Sequence, residues 1–129
     1  MNVLPLAQRL EDKSVGKQGK SIFVYMMPSE AVSAVMVRNE LAGTRINHEL
    51  PGYYKTRLQV IARGANYKAA ETLMNSAVAA LTLEPGAVLG DMTFNYCRPQ
   101  TLPVPFPLSA GNLIEFSVYF EVCFVQEPA

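Results

Sequence analysis

The stretch Tyr53–Leu83, with YYKTRLQVIARG, then AN, then YKAAETLMNSAVAAL, reads as a strand that turns directly into a helix, and the rest of the chain can be arranged around it. Tyr54, Thr56, Leu58, Val60 and Ala62 alternate with Lys55, Arg57, Gln59, Ile61 and Arg63. Side chains of a strand point to opposite faces in turn, so this alternation predicts one face on a core and the other in water or against a partner. The pattern breaks at Gly64, and Asn66 is placed to cap a helix by accepting a bond from its free first-turn N–H groups. Tyr67, Ala70, Met74, Ala77, Val78 and Leu81 then recur at spacings of three and four, one apolar helical stripe that ends before Pro85-Gly86. So short a junction lays the helix back across the apolar face of the sheet.

Upstream, Asn2 is placed to cap a short helix with Val3, Leu6, Ala7 and Leu10 on its apolar side and Pro5 in the first turn. Glu11 to Lys20 is a charged surface connection interrupted by glycines. Ser21 to Met27 (SIFVYMM) is a continuous apolar run closed by Pro28. It predicts a strand covered on both sides, with Phe23 and Tyr25 available to a neighbouring subunit. Ser33 to Arg38 is a second short strand. Asn39 to Gly52 follows as a long polar loop carrying Glu40, Arg45, His48 and Glu49, and loops of that length tend to be functional or mobile.

Downstream, Val88 to Arg98 predicts one strand in which Met92, Phe94 and Tyr96 alternate with Thr93, Asn95 and Cys97. Pro99 to Gly111 interleaves prolines with Leu102, Val104, Phe106 and Leu108. Such a segment is stiff and extended and cannot join the interior of a sheet. It reads as a loop covering its own domain, as an apolar arm for another chain, or as a proline ligand of the signalling type. The final strand is the most regular: Ile114, Phe116, Val118, Phe120, Val122 and Phe124 share one face, opposite Glu115, Ser117, Tyr119, Glu121 and Cys123. It is expected at the centre of the sheet. The fold class is therefore α+β: a mostly antiparallel sheet of about five strands, two helices on one face, in the order α-β-β-β-α-β-β.

The chain has 129 residues, enough for a single domain over 1–129 that buries roughly 65–70% of its unfolded surface. It is 50% hydrophobic and 17% charged, with 11 basic and 11 acidic residues and a formal net charge of zero. That balance builds no large positive field for nucleic acid or an anionic membrane. It suits contact with other protein surfaces. No apolar run reaches the roughly 18–20 residues of a membrane span. The opening MNVLPLAQRLEDK lacks a basic stretch ahead of its short apolar part and does not read as a secretory signal. Cys97 and Cys123 are expected on strands, far from register in a simple hairpin, and so as free, buried thiols.

Residues that could carry chemistry are sparse. His48 is the only histidine. His48-Glu49 starts like a zinc-protease helix, but position 52 is Gly52 where the second histidine would stand. One imidazole with no Cys or His partner does not build an ordinary zinc site. Gly64, Gly86, Gly90 and Gly111 are isolated turn glycines that form no nucleotide cradle. Glu115 and Glu121 are six residues apart on one strand, roughly 20 Å, too far for a glycosidase pair. Lys55, Arg57 and Arg63 share the exposed face of their strand. They read as a solvated face opposite Glu115 and Glu121, or as an intersubunit ion-pair surface. No catalytic residue, cofactor or metal is expected, and the chain is not expected to be an enzyme.

Taken together, VLPLAQRL leading to SIFVYMMP, then LQVIARGANYKAA running into a helix, then the closing IEFSVYFEVCF resemble the tail terminator (tail completion) proteins of long-tailed bacteriophages. These are small minor-capsid or neck subunits. Arg63 at the strand end, Tyr67 at the helix start and the Ala-rich helix carry the likeness, which spans nearly the whole chain in element order. The proline-rich Pro99–Gly111 segment departs from it. The resemblance implies a structural virion protein that forms a ring, a homohexamer, on the head-proximal end of the tail tube. The ring halts tube polymerisation and presents the head-joining surface. It implies as partners further copies of this chain, the tail-tube protein and the head-to-tail connector protein. DNA would pass through the lumen without specific binding, and assembly would take place in the host cytoplasm. A tail-tube or head-closure subunit of related fold is the alternative, and a small cytosolic ligand-binding α+β domain a more distant one. The candidate interface residues are Phe23, Tyr25, Arg38, Glu40, Arg45, His48, Glu49, Lys55, Arg57, Arg63, Leu102, Val104, Phe106 and Leu108.

Overall fold

The computed structural model describes residues 1–106 and 113–126. Helix α1 (Leu4–Asp12) is followed by strands β1 (Ile22–Val24), β2 (Ala34–Asn39) and β3 (Tyr53–Gly64), then helix α2 (Tyr67–Leu81). Strands β4 (Ala87–Leu89), β5 (Met92–Pro99), β6 (Val104–Pro105) and β7 (Ile114–Gln126) complete the chain. One sheet holds them all, in the order β1-β2-β3-β7-β5-β4, with β6 also paired to β7. Among the described residues, β1–β2 is the one parallel strand pair, the other strand pairs being antiparallel. The α+β class and the helix–strands–helix–strands order follow the sequence reading. The strands number more than five because short β4 and β6 join the sheet.

The longest strand pairing runs from Tyr53↔Val125 to Gly64↔Ile114, which places the Leu58/Val60/Ala62 row beside Phe120/Val118/Phe116. These residues are buried, with Val35 and Val37 of β2 and Phe94 and Phe124 in the same core. Helix α1 adds Leu6, Ala7 and Leu10, and α2 adds Ala70, Met74, Ala77, Ala80 and Leu81. β7 is central because both its flanks are paired and its aromatic row fills the space under the helices. Asn66 accepts the Ala69 N–H at 2.8 Å, the expected cap of α2. In α1 the capping position falls to Val3, and Asn2 accepts the Leu4 N–H at 3.1 Å from one residue earlier. Arg9 fastens the helices together by donating to the Ala80 carbonyl at 2.5 Å, where the carbonyls of α2 point out of the helix end.

Five expectations are corrected. The apolar run Ser21–Met27 forms only a three-residue strand at one sheet edge, because Tyr25 adopts φ 69 and turns the chain out of the sheet. Val88–Arg98 is not one strand. Gly90, at φ 62, turns it into a β4–β5 hairpin. Within β5 the register passes from Phe94↔Phe124 to Tyr96↔Cys123, so Asn95 is an extra, bulged residue. A bulge shifts the alternation by one residue. Met92, Phe94 and Cys97 therefore face the core, whereas Tyr96 joins the opposite face. The cysteines are not far apart in register: Cys97 stands opposite Val122 and Cys123 opposite Tyr96 on the adjacent strand. Their side chains lie on opposite faces of the sheet, and both are free and buried.

Gly64 is not a turn glycine. It is the buried last residue of β3, and a Cβ built there would lie 2.5 Å from the Ala70 nitrogen and 2.9 Å from its Cα. Its missing side chain lets the first turn of α2 sit directly on the strand end.

Candidate assembly surfaces

The strand alternation that packs one side of β3 and β7 on the helices places a polar network on the other, and its centre, Gln59 and Ser117, is buried as well. Arg38 Nε donates to Gln59 Oε1 at 2.6 Å, and Gln59 Nε2 donates to Ser117 Oγ at 3.1 Å, crossing three neighbouring strands. Arg63 Nε donates to Glu115 Oε2 at 2.9 Å, and its Nη1 donates to the carbonyls of Pro28 (2.8 Å) and Ala31 (3.1 Å). One guanidinium thus fixes both the strand pair and the loop folded over this end of the sheet. Ala34 and Met36, opposite Arg63 and Ile61, are buried beneath the same region.

Arg57 stands opposite Glu121 in register, as the face pattern suggests, yet its ion pair is with Glu40 at 2.6 Å. The Glu40 hydrogen bond raises the Arg57 pKa, and the guanidinium lies 4.5 Å from the centre of the Tyr119 ring. Glu121 is taken instead by Arg98 at 2.6 Å, which itself lies over the Tyr96 ring at 4.3 Å. Sequence reasoning missed Arg98 and Tyr96 on this face, because the Asn95 bulge is what turns them toward it. The Tyr53 phenol, at the far end, has its pKa raised by a side-chain hydrogen bond with Cys123.

The 40–52 loop forms an open cleft of about 680 Å³ lined by Arg45, Ile46, His48, Glu49, Tyr53 and Lys55 among others. Leu41, Ile46 and Leu50 of this loop are exposed. His48 is exposed as well. Among the described residues, no group of three or more His, Cys, Asp and Glu side chains is placed to hold a metal.

Two apolar surfaces complete the picture. At the β1 edge, Phe23 is half-buried, while Tyr25 and Met26 are exposed. The Tyr25 hydroxyl accepts from Asn39 Nδ2 at 2.6 Å, which ties this surface to the end of β2. On the opposite side of the sheet, β6 lies along β7, with Val104 opposite Ser117 and Pro105 opposite Phe116. Leu102, Val104 and Phe106 are 85%, 55% and 42% exposed, so these three side chains do little to cover their own core. Leu108 lies outside the described residues. The structure therefore separates the candidates into an outer polar face (Arg38, Glu40, Lys55, Arg57, Arg63), a loop cleft (Arg45, His48, Glu49) and two apolar margins.

Comparison with known proteins gives one family and one fold. Residues 9–125 match the family model for the bacteriophage tail terminator protein. No curated protein matches. Among solved structures, a chain in the virion of a native gene transfer agent (GTA) particle superposes with a TM-score of 0.64, covering 95% of each chain at 15% identity. At that identity the likeness is one of fold.

Proposed function

The chain belongs to the bacteriophage tail terminator family, a structural component of the phage virion, and on that premise we propose that it forms a closed ring at the head-proximal end of the tail tube. There the ring stops tube polymerisation and offers the surface that joins the head. The observation that carries this reading is the pair of unlike apolar margins on opposite sides of one sheet, Tyr25 and Met26 at one and Leu102, Val104 and Phe106 at the other. A head-to-tail ring needs two different surfaces per subunit, each satisfied by the next copy, and closes when the rotation between copies divides the circle. Six copies is the number the family resemblance suggests. The outer polar face and the 40–52 loop then remain for the tube protein on one side and the connector on the other. A net charge of zero suits a lumen through which DNA passes without being held. In this reading the protein has no enzymatic role.

The test is mass measurement with negative-stain imaging of the purified protein, alone and mixed with tail tubes. Rings that cap one tube end are expected. Indefinite tubes formed by the protein alone would favour the tail-tube alternative, and rings with no affinity for tubes would overturn the terminator role.

A further inference from the structure

Among the described residues β6 occupies a sheet edge, and around it a proline stands at alternate positions: Leu102-Pro103-Val104-Pro105-Phe106. Backbone N–H groups of an extended strand point to its two sides in turn. The Phe106 N–H donates to the Glu115 carbonyl at 2.7 Å, and Val104 stands opposite Ser117, so the even-numbered residues aim their donors inward at β7. The odd-numbered positions aim outward. Those are Pro103 and Pro105, which have no N–H to offer. The edge is thus bonded on its inner side and stripped of donors on its outer side.

The other margin is closed by a different device. At β1 the outward-facing Ile22 donates its N–H to the Lys17 carbonyl at 2.9 Å and accepts the Gly19 N–H at 2.9 Å. The Val24 carbonyl accepts the Met26 N–H at 2.9 Å. An open edge flanked by exposed apolar side chains is a template for uncontrolled strand addition. At β1 the outward Ile22 N–H and carbonyl and the Val24 carbonyl are thus bonded within the chain, and at β6 the outward positions Pro103 and Pro105 carry no N–H.

We propose that Pro103 and Pro105 seal the β6 edge against strand addition, so that a second copy of this chain meets it only through the side chains of Leu102, Val104 and Phe106. The identity of the neighbour rests on the ring reading above; the seal is a property of the edge itself. Side-chain docking fixes one geometry and lets a ring close, whereas backbone pairing is indifferent to side chains and permits wrong registers.

The experiment compares the full chain with its Pro103→Ala/Pro105→Ala variant by sedimentation and light scattering across concentration, with amide-I infrared for intermolecular strand pairing. The variant is expected to reach at least about twice the mass of the wild-type particle, whatever that particle's size, because two opened edges pair isologously. The intermolecular strand signal is expected to rise with it. An unchanged mass and an unchanged infrared band in a folded variant would overturn the seal. The single variants Pro103→Ala and Pro105→Ala, each restoring one donor, carry the same comparison if the double variant folds poorly. Absence of rings in the wild type bears on the preceding proposal alone, because the seal is read from the difference between the two proteins.

Discussion

Cys97 shows how a residue's chemistry is set by where the strand puts it. On the core face of β5 the thiol is surrounded by apolar side chains, and burial pushes its pKa up from 9.0 to about 12, with Arg9 pulling weakly the other way. The sign of the linkage follows directly. Below about pH 9 the thiol is neutral in both folded and unfolded chains and its contribution is intact. As the pH rises from about 9 toward 12, the unfolded chain releases its proton first, and stability falls. Thermal melting should therefore drop across that window, and Cys97→Ala should flatten the drop while lowering stability at neutral pH. An identical pH slope in the variant would contradict this. The ion pairs teach the complementary lesson. Arg63 with Glu115 was legible from strand faces alone, because both lie on the long β3–β7 ladder. Arg57 with Glu40 was not, because Glu40 reaches Arg57 only after the loop that follows β2 is placed.

At the scale of elements, the β3–α2 unit behaves as its periodicities demand. Leu58, Val60 and Ala62 are buried, Asn66 caps, and the Ala70/Met74/Ala77/Leu81 stripe faces the sheet. Tyr67, expected in that stripe, is about half exposed and meets Phe116 edge-on at 5.1 Å between ring centres. The junction depends on Gly64. Gly64→Ala inserts a methyl group against backbone atoms of α2 that cannot rotate away, and overpacking of this kind costs about 1–3 kcal/mol. Urea denaturation should show a loss in that range. A loss of under about 0.5 kcal/mol, the usual range for surface changes, would mean that the helix shifts freely. β1 and β5 were read less well, for one shared reason. A strand's end and its phase depend on single residues, the left-handed Tyr25 in one case and the extra Asn95 in the other. Neither leaves a trace in a hydrophobic pattern averaged over several positions.

For the whole molecule, the placement of Leu102, Val104 and Phe106 at one margin separates folding from assembly. Phe106 is exposed, so Phe106→Asp should change monomer stability by no more than about 1 kcal/mol. If the arm is an intersubunit contact, the same change introduces a charge into a packed apolar interface. Losses there reach 2 kcal/mol or more, about a thirtyfold weakening of association. Sedimentation of the assembled form and chemical melting of the monomer measure the two quantities side by side. Equal losses in both would identify the arm as cover for its own core.

The sequence by itself determined what repeats: the two helices, the central β7, the strand–helix unit around Gly64, the α+β class and the tail terminator likeness that residues 9–125 bear out. Periodic burial is written many times over along an element, so one misread position does not erase it. Only the tertiary structure decided what depends on unique neighbours: that Arg98 and Tyr96 join the polar face, that Cys97 and Cys123 sit on adjacent strands with opposite orientation, and that Pro105 faces outward on an edge. Those facts follow from strand register and from one bulge. Both are settled by the summed packing of distant segments, which no local stretch of residues contains.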